Sequence, residues 1–403
     1  MGKQTKEIKK NMSKEKRIKL IQEIQKDRNS KVITLVTSDR PNLNQAIHQM
    51  MNDIIYEQIR TIKSKTDEFK NIDLFIYSRG GDSDAPWSIV STIRECFPKC
   101  NFNVLIPFRA HSAATMISLG ADEIIMTEKA EMGPVDITIG NSPLNPPHPV
   151  TKQPIDLSVE DVMGFIGLLD KLDCNRPEEK IKSFEILTNH INPLAIGKVN
   201  RLLEQTKLVA DRMLSFRKKK LSIDENEEIV RKLGSEIYSH RHSISRTEAR
   251  QIGISYVKNA EDYKIQTELW SLYELYAKEL ELQEPFNPEK YLSENGMDNH
   301  KWNDLKKAMI ETEYDSWQQL CDVEAKRLRQ VNQPINLNPQ ISLPQVPPNL
   351  NEQQIQQFLQ TWLSQNLPIL LQNATKDAIE AFLKTQPSGQ IELKVTDKLW
   401  KKK

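Results

Sequence analysis

No stretch of this sequence is apolar for long enough to cross a bilayer. No apolar segment follows the first charged residues either, and these stay dense through Lys19. Neither a membrane span nor a secretory leader is expected, and the cytoplasm is the predicted location. Cysteine is scarce: Cys96, Cys100, Cys174 and Cys321 lack the paired spacing of a metal site. Cys96 and Cys100 flank Pro98, which puts them at a helix end, so reduced free thiols are expected. No metal or cofactor is predicted. An excess of one charge sign is missing too. The 56 Lys/Arg and 55 Asp/Glu leave a formal net charge of +1. No global field therefore argues for nucleic acid or a membrane surface as partner.

What remains is a chain of 403 residues, 38% hydrophobic and 28% charged, long enough for more than one domain. Residues 1–30 hold ten Lys/Arg against four Asp/Glu. Their periodicity through Ile18, Leu20, Ile21 and Ile24 predicts a basic, solvated helix rather than a nucleic-acid arm. From 31 to 260, short apolar runs alternate with helical patterns. Strands are expected at Val32–Val36, Asp73–Tyr77, Asn103–Ile106 and Glu123–Met126. Helices are expected at about Leu43–Ile62, Pro86–Phe97 and Ser112–Leu119, then at roughly 159–172, 179–190 and 193–217. That alternation predicts parallel βα units with helices on both faces of an α/β sheet. A proline-rich loop at 140–158 reads as a substrate-binding edge or lid. Residues 261–331 read as a charged helical region anchored by Trp270, Trp302 and Trp317. A proline-rich linker follows at 332–350. In 351–403, Ile355, Phe358, Leu359, Trp362 and Leu363 mark an amphipathic helix, and Gln390–Val395 a strand.

Two turns in the α/β region carry the chemistry. Leu74–Tyr77 is an apolar run that stops on Ser78-Arg79-Gly80-Gly81-Asp82. Asn103–Ile106 leads through Pro107-Phe108-Arg109-Ala110-His111 into Ser112-Ala113-Ala114-Thr115. A glycine pair can aim backbone N–H groups at a ligand, since no Cβ blocks the approach. A serine entering a helix can expose its hydroxyl where the dipole favours developing negative charge. One turn can thus supply an oxyanion hole and the other a nucleophile. Taken alone, Ser112 is better explained as an N-cap, and Gly80-Gly81 can be a plain tight turn.

These two turns, with Gly120-Ala121-Asp122-Glu123-Ile124-Ile125-Met126 and Gly133-Pro134-Val135-Asp136, resemble the serine dehydrogenase proteinase family. That family belongs to the group with the Clp protease/crotonase fold, which also includes signal peptide peptidase A. The resemblance runs from about Ile33 to about Val257. It implies a spiral of βα units, Ser112 as nucleophile, and Gly80, Gly81 and Ala113 as oxyanion-hole donors. It also implies a homo-oligomer and a peptide or protein substrate. Relatives often carry proline before the glycine pair, whereas this chain has Arg79. Arg79 is expected to pair with Asp82 or Asp84, with a substrate carboxylate as the other reading.

A serine nucleophile needs a proton acceptor within hydrogen-bond reach. The Clp-type triad histidine is not reproduced, because Gly133–Asp136 occupies its neighbourhood. His111 is adjacent to Ser112 and diverges from it in direction. Ser239-His240-Arg241-His242 resembles a family pattern that makes His240 the candidate base, with His242 as a substitute. Lys198 is the alternative, by likeness to the lysine of signal peptide peptidases; it requires burial to lower its pKa. Asp136 either orients the base or caps the next turn. The leading expectation is an ATP-independent serine peptidase. Two others stay open: an acyl-thioester hydrolase or crotonase-like enzyme using the same oxyanion hole, and an inactive scaffold or sensor that binds proteins.

Overall fold

In chain order the strands are β1 (Ser30–Thr37), β2 (Asn71–Tyr77), β3 (Asn101–Ile106), β4 (Arg109–Ala110), β5 (Glu123–Met126), β6 (Glu131–Met132) and β7 (Thr138–Ile139). They continue as β8 (Leu157–Ser158), β9 (Ile244–Ser245), β10 (Val257–Asn259), β11 (Asn299–Glu311), β12 (Ser316–Arg329), β13 (Ser388–Asp397) and β14 (Lys401–Lys402). The first helices are α1 (Gly2–Arg28), α2 (Met50–Lys65), α3 (Ala85–Cys96), α4 (Ala113–Leu119), α5 (Val159–Lys171) and α6 (Pro177–His190). The later ones are α7 (Pro193–Ser215), α8 (Ile223–Arg231), α9 (Arg246–Ile252), α10 (Gln266–Glu279), α11 (Pro288–Glu294) and α12 (Glu352–Thr385). The computed structural model describes residues 2–65, 68–135, 138–140, 142–174, 176–236, 242–329, 344–385 and 388–403.

β10, β5, β3, β2 and β1 lie side by side in parallel, and β11 adds antiparallel to β1. Successive side chains of a strand point to opposite faces, and here the two sets divide between two cores. Ile33, Leu35, Leu74, Ile76, Val104 and Ile106 meet Ile55 and Ile59 of α2, Ile89 and Ile93 of α3, and Ile117 of α4. Val32, Val36, Phe75, Tyr77, Leu105 and Ile125 meet Ile21 and Ile24 of α1 and Leu269, Leu272 and Tyr276 of α10. A sheet buried on both faces favours the continuous apolar runs seen in β1, β2 and β3. The expected α/β architecture with helices on both faces is what the chain adopts. A second small sheet, β4-β6-β9, and the β7–β8 pair lie outside this main sheet.

The structure corrects three readings. The first concerns α1, expected to be a solvated basic helix. Arg17 is buried, its guanidinium donating to both Glu311 oxygens at 2.7 and 2.9 Å. Arg28 is buried against Asp73 at 2.6 Å, and Asn103 Nδ2 donates to the same carboxylate at 2.8 Å. The second concerns residues 43–49, expected as the first turns of α2. They run as an irregular segment whose Ile47 pairs with Gly81. The third concerns residues 299–329, expected as helix. They are strands β11 and β12, and Leu35 and Val36 of β1 pair with Ile310 and Met309. Charged side chains mask the strand pattern there, and pairing with β1 outweighs local propensity.

Two compact units emerge: residues 1–286, 305–321 and 397–403, and residues 287–304 and 322–396. The first therefore extends beyond residue 260 to include α10 and the inner parts of β11 and β12. The second holds α11, α12, most of β13 and the outer parts of β11 and β12. On α12, Ile355, Phe358, Leu359, Trp362 and Leu363 form the expected stripe, each half-buried between exposed neighbours. Of the linker 332–350, only residues 344–350 are described.

Candidate active site

Strand β2 ends at Tyr77, and the backbone then locks onto the second turn. Ser78 N–H donates to Arg109 O at 3.0 Å, and His111 N–H donates to Ser78 O at 3.1 Å. Ser78 Oγ is buried; it accepts from Thr37 Oγ1 at 2.8 Å and from Gly80 N–H at 3.0 Å. On the far side, Ile47 N–H donates to Gly80 O and Asp82 N–H donates to Ile47 O, both at 2.8 Å. The glycines are required by space. A Cβ on Gly80 would lie 2.6 Å from Ser112 Cβ and 2.8 Å from His111 O, at a φ of +103°. A Cβ on Gly81 would lie 2.2 Å from Ile47 O. The glycine turn therefore touches the serine turn, with no room for a side chain between them.

Ser112 stands between β4 and α4 at φ +50° and ψ −114°. An L-residue rarely adopts this backbone conformation, and such strain persists only where the surroundings impose it. Here they do: the His111 N–H bond to Ser78 precedes it, and Met116 N–H donates to Ser112 O at 3.0 Å behind it. The N-cap role is not taken up, because the Ser112 side chain makes no capping hydrogen bond. Among the described residues, its hydroxyl has no hydrogen-bond partner, and the N–H groups of Gly81 and Ala113 have no acceptor. Gly80, expected as a donor, gives its N–H to Ser78 Oγ. Thr115, one turn into α4, donates to Ala110 O at 2.7 Å and lies 2.8 Å from Gly133 O, tying the helix start to the 110 and 133 segments.

A belt of charge surrounds the turn. Asp39, just past β1, lies 3.1 Å from Arg79 Nε and 3.3 Å from Arg109 Nη1. Arg79 thus pairs with Asp39 and not with Asp82 or Asp84. Asp82 instead accepts from Asp84 N–H at 3.0 Å, and Asp84 accepts from Gln205 at 2.5 Å. Chain-distant Asp39 wins because the end of β1 lies beside the end of β2. Arg109 also bonds Glu131 at 2.9 Å. His111 is buried, with its ring packed where a Gly133 Cβ would sit, 2.8 Å away. Its Nε2 lies 3.3 Å from Glu131 Oε1 but is not aligned for a hydrogen bond. Burial holds this imidazole below the usual histidine range, reinforced by the Arg79 charge and opposed by Glu131.

The other candidates make no hydrogen bond to Ser112 among the described residues, or lie outside those residues. Lys198 is half-buried on α7, and no bond joins it to Ser112 among the described residues. His242 bonds Glu248 at 2.6 Å near the start of α9. His240 and Asp136 lie outside the described residues. Sequence reasoning missed Thr37, Asp39, Ile47, Ser78 and Thr115. Each acts through contacts made by tertiary folding, and only Ser78 and Thr115 carried a signal, their places in the two turns.

The α/β fold thus sets a strained serine directly against a glycine pair. Residues 4–161 match the family of ClpP-like SDH-type serine proteinases. This is the family suggested by the two turns, and the stretch contains both of them. Two uncharacterized proteins of Methanocaldococcus jannaschii are similar to this chain. One is 26% identical over 65% of this chain and 76% of its own length. The other is 24% identical over 64% of this chain and 78% of its own. Among solved structures, a serine-to-alanine mutant of the 1510-N membrane-bound stomatin-specific protease aligns at 15% identity. It covers 56% of this chain and 79% of its own, with a TM-score of 0.33. No helix among the described residues is long and apolar enough to cross a membrane.

Proposed function

We propose that this protein is an ATP-independent serine peptidase acting in the cytoplasm as a homo-oligomer. The observation that carries the reading is Ser112. It holds a strained conformation against Gly80, has no capping bond, and has the Ala113 N–H beside it. In this mechanism Ser112 Oγ attacks the carbonyl carbon of a peptide bond and passes its proton to a base. The N–H groups of Gly81 and Ala113 hold the oxyanion, and loss of one such donor costs roughly a hundred- to a thousandfold in rate. Gly80 contributes by its missing side chain, which lets the turns touch. Collapse of the intermediate breaks the C–N bond, and the amine leaves with the proton from the base. Water then releases the acyl group from Ser112 by the same route. His240 is the proposed base, with Lys198 as the alternative.

A fluorophosphonate probe tests this reading. Labelling is expected in the wild type and absent in Ser112→Ala, with the fold intact by circular dichroism. His240→Ala should slow labelling far more than Lys198→Ala; the reverse moves the base to lysine. Labelling with thioester cleavage but no peptide cleavage points to acyl-thioester chemistry. A folded wild type that never labels is a binding protein.

A further inference from the structure

Behind α4, away from Ser112, lies a cavity of about 800 Å³ bounded by Leu119 of α4, Val159 of α5, the middle of α7, α8, and Val135 with Leu233. Its size falls within the range of roughly 300–1,000 Å³ typical of ligand sites. The walls are aliphatic: Leu203, Leu208, Ala210 and Val230 join those already named. Two polar groups interrupt them. Among the described residues, the buried Thr206 Oγ1 has no hydrogen-bond partner, and neither does the buried Oδ1 of half-buried Asn226. Buried polar atoms are normally satisfied, so each orphan calls for an explanation. At the mouth, Leu208 and Ile223 leave apolar surface in water, 48% and 76% exposed.

We infer that this cavity is a docking site for an apolar peptide segment of the substrate. Aliphatic side chains would fill the walls, and the amide groups between them would meet the Thr206 hydroxyl and the Asn226 side chain. An amide carries both a donor and an acceptor, as that pair requires. The rim decides against an anionic lipid. Glu160, Glu204, Asp211 and Glu227 outnumber Lys207 and Arg231. The cavity also connects with the serine turn through the backbone. Val135 lines it and binds Leu233 O at 3.1 Å, while Gly133, two residues earlier, packs on the His111 ring. A chain held here and the serine turn therefore share the 133–135 segment as a common wall. The substrate role rests on the peptidase reading; the binding itself does not.

The test uses full-length Ser112→Ala protein, so no turnover is required. A short fluorescein-labelled, amidated peptide with leucine, isoleucine and valine spaced by serines is titrated by anisotropy. Its twin has serine at the apolar positions. The apolar peptide should bind at least about tenfold more tightly than the twin, a gap well resolved on a Kd scale. Adding Leu208→Gln and Ile223→Gln, both exposed and so compatible with folding, should remove that preference. Thr206→Val should weaken the peptide yet raise the melting temperature of the unliganded protein, since it deletes an unsatisfied hydroxyl. Equal binding of the twins overturns the proposal. So does a preference that survives the double substitution, or oleate binding without peptide binding. Specific peptide binding in a protein whose wild type never labels with fluorophosphonate would sink the peptidase reading and leave the docking site standing.

Discussion

At the residue scale, the consequences concentrate at Gly80, Ser112 and His111. Replacing Gly80 by alanine puts a Cβ 2.6 Å from Ser112 Cβ at a φ of +103°. A strained backbone of this kind costs of order 1–3 kcal/mol. Gly80→Ala should therefore lower the melting temperature and also suppress fluorophosphonate labelling by displacing the serine. Ser112 offers a cleaner measure of strain. Glycine normally destabilises relative to alanine by roughly 0.5–1 kcal/mol in regular structure. At φ +50° that order should invert, making Ser112→Gly at least as stable as Ser112→Ala in urea unfolding. His111 sets a pH dependence. Its folded pKa lies below the unfolded value of about 6.5, so between the two the unfolded chain binds more protons. Stability from the neutral ring is complete above about pH 6.5 and is lost as pH falls through the folded pKa. Melting temperatures in that window should drop with acid in the wild type and flatten in His111→Gln.

At the element scale, the join between α1 and the sheet is electrostatic as well as apolar. Arg17 meets Glu311 of β11, and Tyr276 of α10 donates to the same carboxylate at 2.7 Å. Ser316 of β12 donates to the other oxygen at 2.5 Å. Removing one partner of a buried pair typically costs about 3–5 kcal/mol, because the other charge stays buried. Arg17→Met should show a loss of that order in urea unfolding. Arg17→Met with Glu311→Leu should recover much of it, since an apolar pair restores packing without the stranded carboxylate. If the double variant is no more stable than the single, the cost lies in packing and not in charge. Loss of α1 docking would also loosen β1, whose end carries Asp39 toward Arg79 and Arg109.

At the scale of the whole molecule, α5 and α6 leave large side chains uncovered. Leu168 is 49% exposed, Ile181 61% and Phe184 53%. Large apolar side chains left in water are candidates for an interaction face where they gather into a patch. Their exposure supports the proposed homo-oligomer and names the helices to test. Sedimentation velocity of the wild type should show a species larger than the monomer. Phe184→Glu with Leu168→Glu should shift it toward the monomer without changing the circular dichroism. A wild type that sediments as a monomer at every concentration removes the oligomer from the reading.

Much of the fold follows from local pattern. β1, β2, β3 and β5 are buried on both faces, so their Val, Ile, Leu and Phe residues form runs that local reading detects. The glycine pair and Ser112 are legible for a similar reason: a turn with special backbone needs announces itself in residue type. The strands at 299–329 were hidden, since charged residues are scattered through them and their partner β1 lies far away in the chain. The pairing of Arg79 with Asp39 was equally hidden, because it spans neighbouring strand ends and not neighbouring residues. So the chain's own order determined the parallel core and the place of the two turns. Tertiary structure alone decided that Ser112 is strained and uncapped, that Gly80 spends its N–H on Ser78, and that Gly81 and Ala113 keep theirs. Hydrogen bonds between distant segments exist only after packing brings their ends together, and no local pattern encodes them.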